Sequence, residues 1–530
     1  MSLQRLCRYL PSLLGIVLFT ANAAYADDMP KLVQQQDRHA LFVDGAPYTI
    51  MATQIHNSSA WPALLSEDWP SIEALHANTL EAPVYWEQFE STPGHYDTSF
   101  IDALIDQSRT HGVRLILLWF GSWKNGQMHY VPEWIKSDPA HYPRALDEHG
   151  QPTEDLSPYA SANLEADKRA FSALMQHLKQ KDGDRHTVIM VQVENEPGLI
   201  GTVRDHSAGA NALFDAPVPA ELVTVLKRKP GNWRAVFGAD ADETFNAYGI
   251  ARYIDQVAAA GKAAYPLPMY VNVWLRYKGK HLPGYDYPSG GATWNVFAVW
   301  KAAAPHIDLF GTDLYTTDYN EFTKVVGQYA RPYNPAWISE TGYEEGNAPY
   351  FFHVLAKGGI GFSIFGVDHE EATPAIQAAT AAHARNFQLV GGIQRQVAQA
   401  AFDGHLLASV EQRGQPHDAL DLGRWQAKVS YGAPHWGDAP AKLPGNPHAD
   451  GHVLVIKQSD TQFLLTGFNA RVEFERHNDD GKHGQLLRVE EGSYVNGQWQ
   501  LRRLWNGDET DYGLNFGNQP VLLRVTVGSY

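Results

Sequence analysis

Across 530 residues, 42 Lys and Arg stand against 59 Asp and Glu, a formal net charge of −17, with 44% hydrophobic and 19% charged residues. That balance belongs to a folded chain rather than a disordered one, and so much negative charge argues against a nucleic-acid partner, whose phosphates require basic surface. A single cysteine excludes a disulfide framework and a cysteine zinc site, and at roughly 150 residues per domain the length suggests two or three domains.

The chain opens on Arg5 and Arg8, continues through the apolar run Leu13-Leu14-Gly15-Ile16-Val17-Leu18-Phe19, and reaches small residues ending in Ala24-Tyr25-Ala26. This is the layout of a secretory signal peptide over residues 1–26, cleaved before Asp27. The apolar run is well short of the ~20 residues that span a bilayer, and no later segment is apolar for long enough. The sequence therefore predicts an exported protein, periplasmic or secreted, with no membrane attachment after cleavage. Loss of the leader would also remove Cys7, the only cysteine.

From about residue 40 to 390, short apolar runs recur at 48–55, 79–84, 113–120, 187–193, 269–274, 307–314, 336–339 and 360–367. Helical stripes lie between them, such as Ile101, Leu104, Ile105 and Ser108, or Phe171, Leu174, Met175 and Leu178. Near-continuous apolar runs separated by helices indicate parallel strands buried on both faces, and eight of them close a (β/α)₈ TIM barrel. The barrel is expected over residues 27–395, with an insertion at about 201–247. Gly358-Gly359-Ile360-Gly361 comes too late and lacks the spacing of a phosphate-binding turn, so it reads as close backbone packing. From about 396 to 530 the helical stripes give way to short strands at 453–456, 463–466, 472–475, 486–490, 499–505 and 521–527. Asn496-Gly497 and Asn506-Gly507 read as hairpin turns, and 434–450 as a surface loop. This is a C-terminal all-β, sandwich-like domain.

Active residues of such barrels lie at the C-terminal ends of the strands. The fourth run ends in Val193-Glu194-Asn195-Glu196-Pro197 and the seventh in Ser339-Glu340-Thr341. Two carboxylates at strand ends, near aromatic side chains, are the equipment of glycoside hydrolysis, where one must be protonated and the other ionised. On a regular strand Glu194 and Glu196 would share a side and Asn195 would point away, so Asn195 and Glu196 can both face a sugar only if the strand bends there.

Asn195-Glu196-Pro197 after the fourth strand, with a Glu ending the seventh, resembles the signature of the retaining glycosidases built on (β/α)₈ barrels, clan A. Within that clan, residues 40–370 resemble glycoside hydrolase family 35, the β-galactosidases. The resemblance rests on Ile55-His56, on Leu80-Glu81 through Trp86, on Glu90-Ser91-Thr92-Pro93-Gly94-His95-Tyr96, on Gln192-Val193-Glu194-Asn195-Glu196 and on Ser339-Glu340. It implies that Glu196 is the general acid/base, that Glu340 is the nucleophile and that Asn195 binds the sugar 2-hydroxyl. It also implies three departures. Ala82-Pro83-Val84-Tyr85-Trp86 stands where the family has T-Y-V, Gly121-Ser122-Trp123 where it has A-E-W, and Ser363 where it has Tyr. The catalytic pair is kept while the galactose pocket is built differently.

Other strand-end residues are candidates with a structural alternative. Tyr315 either hydrogen-bonds the nucleophile or caps the core, and Trp274 either walls the sugar or does the same. Among Trp86, Trp119 and Trp123 one stacking platform is expected, with Trp123 taken as a substrate contact. His56 contacts substrate or is a satisfied structural histidine. No H-E-x-x-H occurs and no metal is expected in the mechanism, no G-x-S-x-G elbow occurs, which weakens an esterase reading, and no cofactor is expected. The sequence therefore predicts an exported, retaining exo-β-galactosidase acting on oligo- or polysaccharides such as plant cell-wall side chains of the xyloglucan type. An endo-β-glycanase or arabinosidase of the same clan, and a non-catalytic carbohydrate-binding protein, stay open.

Overall fold

The computed structural model describes residues 29–366, 368, 373–432, 443–477 and 481–530. The leader expected over residues 1–26 lies outside the described residues. The chain begins with a small antiparallel sheet, β1 (Lys31–Gln35), β2 (Arg38–Val43) and β3 (Ala46–Tyr48). Arg395 anchors it, donating from Nη1 to the carbonyls of Val43, Ala46 and Pro47.

The barrel strands follow: β4 (Ile50–Gln54), β5 (Thr79–Tyr85) and β6 (Arg114–Phe120), then, after a small hairpin of β7 (Arg144–Leu146) and β8 (Pro152–Leu156), β9 (Val188–Val193), β10 (Met269–Val271), β11 (Leu309–Phe310), β12 (Trp337–Thr341) and β13 (Gly361–Phe365). All eight expected runs are strands, hydrogen-bonded in parallel in the order β11-β10-β9-β6-β5-β4-β13-β12. Every residue of β4, β5 and β9 is buried, which is why their sequences read as runs rather than as alternation. The ends of the sheet meet through the parallel pairing of Asp313 with Glu340 and the hydrogen bond from Leu314 N to Glu340 O, 2.8 Å. A (β/α)₈ barrel results. β10 and β11 are shorter than their apolar runs because the chain leaves regular pairing where polar Asn272 and Thr312-Asp313 begin; beyond that point only the Trp274–Asp313 bridge continues.

Helices cover the outside. Ser99–His111 buries Phe100, Ile101, Leu104, Ile105 and Ser108, and stops at Gly112, whose φ of +67° is open to glycine without steric cost. Ser161–Asp182 packs against Ala241–Ala264. Residues 201–247 hold three short helices, Ala208–Asp215, Ala220–Val225 and Trp233–Phe237, before the long helix starts. The glycine run is a packing device. A Cβ on Gly361 would sit 2.4 Å from Ile50 Cβ, and one on Gly359 would sit 2.6 Å from the Val354 carbonyl.

Helices Pro374–Gly391 and Gln394–Asp403 lead into an all-β region: β14 (Leu406–Val410), β15 (His417–Asp421), β16 (Trp425–Tyr431), β17 (His452–Lys457), β18 (Gln462–Phe468), β19 (Ala470–Arg476), β20 (Gly484–Val495), β21 (Gln498–Trp505), β22 (Leu514–Phe516) and β23 (Leu522–Ser529). They form two antiparallel sheets, β14-β17-β18-β23-β20-β21 and β15-β16-β19-β22, around a separate core that includes Trp425, Val455, Phe463 and Val525. Asn496-Gly497, both at positive φ, is the tight turn between β20 and β21. Asn506-Gly507 is not a hairpin turn. Asn506 is extended at φ −162° and caps the 3₁₀ turn Gly507–Glu509. Part of the expected loop at 434–450 lies outside the described residues; 443–450 carries no strand or helix. Leu454, Ile456, Leu464 and Phe468 join the barrel's own core, so the β region is packed onto the barrel. Among the described residues no helix is long and apolar enough to cross a membrane.

Candidate active site

At the C-terminal end of β9 the strand does bend. Glu194 and Glu196 have φ of +65° and +45°, a left-handed conformation rare outside glycine, and they flank Asn195. The alternation of side chains is broken there, as the sequence required if Asn195 and Glu196 were to serve one site. Three contacts hold the irregular backbone. Asn195 N–H donates to the Trp123 carbonyl (3.2 Å), Glu196 N–H donates to Asn272 Oδ1 (2.7 Å), and Trp123 N–H donates to Glu194 Oε2 (2.8 Å). Lys124 Nζ donates to Asn195 Oδ1 at 2.9 Å, and the Asn195 amide nitrogen has no protein acceptor.

Glu340, near the end of β12, is 7% exposed. Its Oε2 accepts from Gln54 Nε2 at the end of β4 (3.1 Å), and its Oε1 accepts from the Tyr315 hydroxyl. Burial and the Glu340 charge push the Tyr315 hydroxyl well up, so it remains a donor. Burial, and next the Glu340 charge, raise the Glu196 carboxyl to about 7, against the pull of Lys124 and of a hydrogen bond with Asp313. The two glutamates thus occupy different environments. One is held in the range of a neutral acid at moderate pH, and the other accepts hydrogen bonds from two donors.

More carboxyl groups stand behind this pair. Glu194 is fully buried against Asp167, and both burial and that neighbour drive it well above the usual carboxylate range. Asp167 accepts from Trp119 Nε1 (2.9 Å) and Ser122 Oγ (2.6 Å). Glu81, inside the barrel on β5, is raised to about 8 by burial and accepts from the Tyr270 hydroxyl at 2.6 Å. Asp313 is raised well above its ordinary value by burial and by its carboxyl neighbours Glu340 and Glu196.

The aromatic expectations need correction. Trp86, Trp119 and Trp123 are all 0% exposed, so none of them presents a face to a ligand. Trp86 donates to Glu90 and Trp119 to Asp167, while Trp123 packs edge-on against Tyr253. Trp123 serves the site through its backbone, which anchors Glu194 and Asn195. Trp274 and Tyr315, at strand ends, are exposed rings, and so is Trp294, which donates from Nε1 to the Arg276 carbonyl. Trp294 was not singled out in the sequence, because it follows no apolar run. His56 packs its ring against Phe365 and pairs through Nδ1 with Asp368 (3.0 Å), whose carboxylate also accepts the His56 N–H. The loop Glu90–Tyr96 that carried part of the resemblance is a structural feature. Glu90 accepts from Gly94 N–H (2.7 Å) and from Trp86 Nε1 (2.9 Å). Tyr85 is buried and accepts from Ala60 N–H. Gln54, Lys124, Asn272 and Asp313 were missed; each is a polar residue at or just beyond a strand end, with no motif around it.

A groove of about 820 Å³ runs from Tyr315 past Tyr277, Lys278 and Glu321. A second, of about 620 Å³, shares Asp318 and Asn320 with it and reaches Glu411 and Arg413 of the β region. Among the described residues no cluster of three or more His, Cys, Asp or Glu is arranged to hold a metal ion.

Residues 383–517 match a family model described as a domain of unknown function, DUF5597. No curated protein matches the sequence. Among solved structures, a β-galactosidase from Bacillus circulans sp. alkalophilus is similar at 13% identity, over 66% of this chain and 57% of that one, with a TM-score of 0.48. A β-galactosidase from the psychrophilic Marinomonas ef1 is similar at 12% identity, over 68% and 62%, with a TM-score of 0.49. The exo-β-1,4-mannosidase Op5Man5 from Opitutaceae bacterium strain TAV5 shows 14% identity over 69% and 62%, with a TM-score of 0.38. The chain thus spans less than two thirds of the length of each of these proteins.

Proposed function

We propose that this protein is a retaining glycoside hydrolase of clan A, an exo-β-galactosidase related to family 35. One observation carries the reading. The fourth and seventh barrel strands bring to one mouth a Glu196 raised to about 7, partly by the charge of Glu340, and a Glu340 held by Gln54 and Tyr315. In the mechanism this pair supports, Glu196 protonates the departing glycosidic oxygen while Glu340 attacks the anomeric carbon. In the covalent intermediate the Glu340 charge is gone. Glu196 then loses the neighbour that raised it and serves as the base that takes a proton from water. A retaining enzyme places these carboxyl groups ~5–5.5 Å apart. Asn195, held by Lys124, would hydrogen-bond the sugar 2-hydroxyl, and Trp274 would wall the sugar.

The groove beside Tyr315 leaves room for a substrate larger than a disaccharide, and the substrate we propose is a side-chain-bearing cell-wall polysaccharide of the xyloglucan type. The same groove favours an endo-acting member of the clan as the second reading. Export to the periplasm or beyond, with cleavage before Asp27, accords with a polymeric substrate. A panel of nitrophenyl glycosides tests the whole reading. Release from the β-galactoside with retained anomeric configuration is expected. Preference for an arabinoside, or activity only on internal linkages, would move the protein elsewhere in the clan. Binding without turnover of any glycoside would leave a carbohydrate-binding protein.

A further inference from the structure

Asp313 is the last link in the barrel's closure. Its backbone pairs with Trp274 on one side and Glu340 on the other, and it is 2% exposed. Its Oδ1 accepts from the Ser339 hydroxyl (2.9 Å) and its Oδ2 accepts from Asn272 Nδ2 (2.7 Å). Asn272 turns its other end to the acid/base, its Oδ1 accepting the N–H of Glu196 at 2.7 Å. That N–H belongs to a residue at φ +45°, a conformation that persists only where its surroundings impose it. The Asp313 carboxyl lies within interaction range of the Glu196 carboxyl. Glu196 is therefore held through its backbone by Asn272, which Asp313 fixes, and its carboxyl neighbours that of Asp313.

Two carboxyl groups in contact cannot both be ionised at moderate pH without a cation between them. The groups that interact with the pair are Glu340 from β12, Lys124 from the segment after β6, Tyr270 from β10, Tyr277 from the segment after β10, Tyr315 from the segment after β11, and Tyr329 from the helix Tyr319–Tyr329. Lys124 directs its ammonium to Asn195, and Glu340 adds a third carboxyl group, which raises Asp313 further.

We propose that Asp313 is a positioning residue for Glu196: it stays neutral, donates its proton in a hydrogen bond to the Glu196 carboxyl, and through Asn272 fixes the backbone that carries it. This rests on the reading of Glu196 as the acid/base. The proton count closes. Glu196 gives one proton to the leaving oxygen and regains one from water, while Asp313 keeps its own throughout. Its O–H favours the ionised Glu196 that forms midway, and holds it aimed at the incoming water.

The test uses the full-length protein, a nitrophenyl glycoside that the wild type hydrolyses, and the pH profile of kcat/KM for D313N and D313A. Asn is an isosteric neutral donor, so D313N should keep kcat within about threefold of the wild type and leave the alkaline limb within about 0.3 pH unit. D313A loses the donor, so kcat should fall on the order of 10–100-fold with KM within about twofold, the scale of a misplaced catalytic group. The ionised Glu196 is then less favoured, and the alkaline limb moves to higher pH. An alkaline limb that moves to lower pH in D313N would mean Asp313 had been ionised and would overturn the proposal. So would D313A with wild-type kcat and pH profile, or D313N as impaired as D313A. Should D313A fail to fold, as judged by circular dichroism, the D313N limb alone decides. A wild type inactive on every glycoside overturns the hydrolase reading itself, an outcome distinct from any result with the variants.

Discussion

Replacing Glu340 by Gln probes both roles of that residue at once. The Glu196 carboxyl stands at about 7 against an ordinary 4.5, a gap of about 2.5 units or roughly 3.4 kcal/mol. Burial is the larger cause and the Glu340 charge the next. The charge therefore supplies part of the rise, which Lys124 and the hydrogen bond with Asp313 oppose. Two unit charges about 5.5 Å apart, the retaining spacing, interact by about 3 kcal/mol at an effective dielectric near 20, which sets the upper scale of that part. E340Q should lose at least about 10⁴-fold in kcat, since the covalent step has no nucleophile. In the same variant the Glu196 carboxyl, followed by carbon NMR in glutamate-labelled protein, should titrate lower by up to about two units yet stay above 4.5, because burial remains. The variant should melt within a few degrees of the wild type. Substantial turnover by E340Q would refute the assignment of the nucleophile. A Glu196 titration unmoved or raised would refute the claim that the two carboxyls face each other.

Four further outcomes follow from the same geometry. E196Q should lose about 10²–10⁴-fold on substrates with poor leaving groups and much less on activated aryl glycosides, with azide rescuing the second step; equal loss on both classes would deny it the acid role. Y315F removes a donor to a charged carboxylate, about 1.5–3 kcal/mol, so kcat should fall about 10–100-fold with KM nearly unchanged, and a change under twofold would separate Tyr315 from the nucleophile. His383 and His452 are buried and held down to about 4 from 6.5. Their neutral forms therefore sustain full stability only above about pH 6.5, and it should decline as pH falls toward 4 by up to roughly 3 kcal/mol per site; a melting temperature flat from pH 7 to 4.5 would contradict this. G361A should destabilise by about 1–3 kcal/mol in a denaturant melt, because the added methyl meets Ile50 at 2.4 Å; a neutral effect would show that β4 and β13 can move apart.

The eight barrel strands were legible because burial on both faces forces each into an unbroken apolar run. The first β strands of the C-terminal region were not. β15 is mostly exposed and carries no apolar signal, so its place is set only by pairing with β16. Glu196 and Glu340 were legible because each stands where an apolar run ends, and a barrel of this kind puts its chemistry there. The need for a bend at Glu194-Asn195-Glu196 was also legible, from period-two alternation alone. Which tryptophans meet solvent was not, since neighbouring residues near a strand end differ in direction by the local backbone, and Trp86, Trp119 and Trp123 all turn inward.

The sequence by itself determined that strands and helices alternate, that two glutamates stand at strand ends, and that the chain behind them must leave its regular course. Only the tertiary structure decided what surrounds them. Gln54, Lys124, Asn272 and Asp313 come from four different segments and carry no pattern along the chain. The closing of the sheet at Asp313 and Glu340 brings them together. The environment that raises Glu196, and the donors that hold Glu340, come from neighbours distant in sequence, because burial, charge and hydrogen bonds act through space.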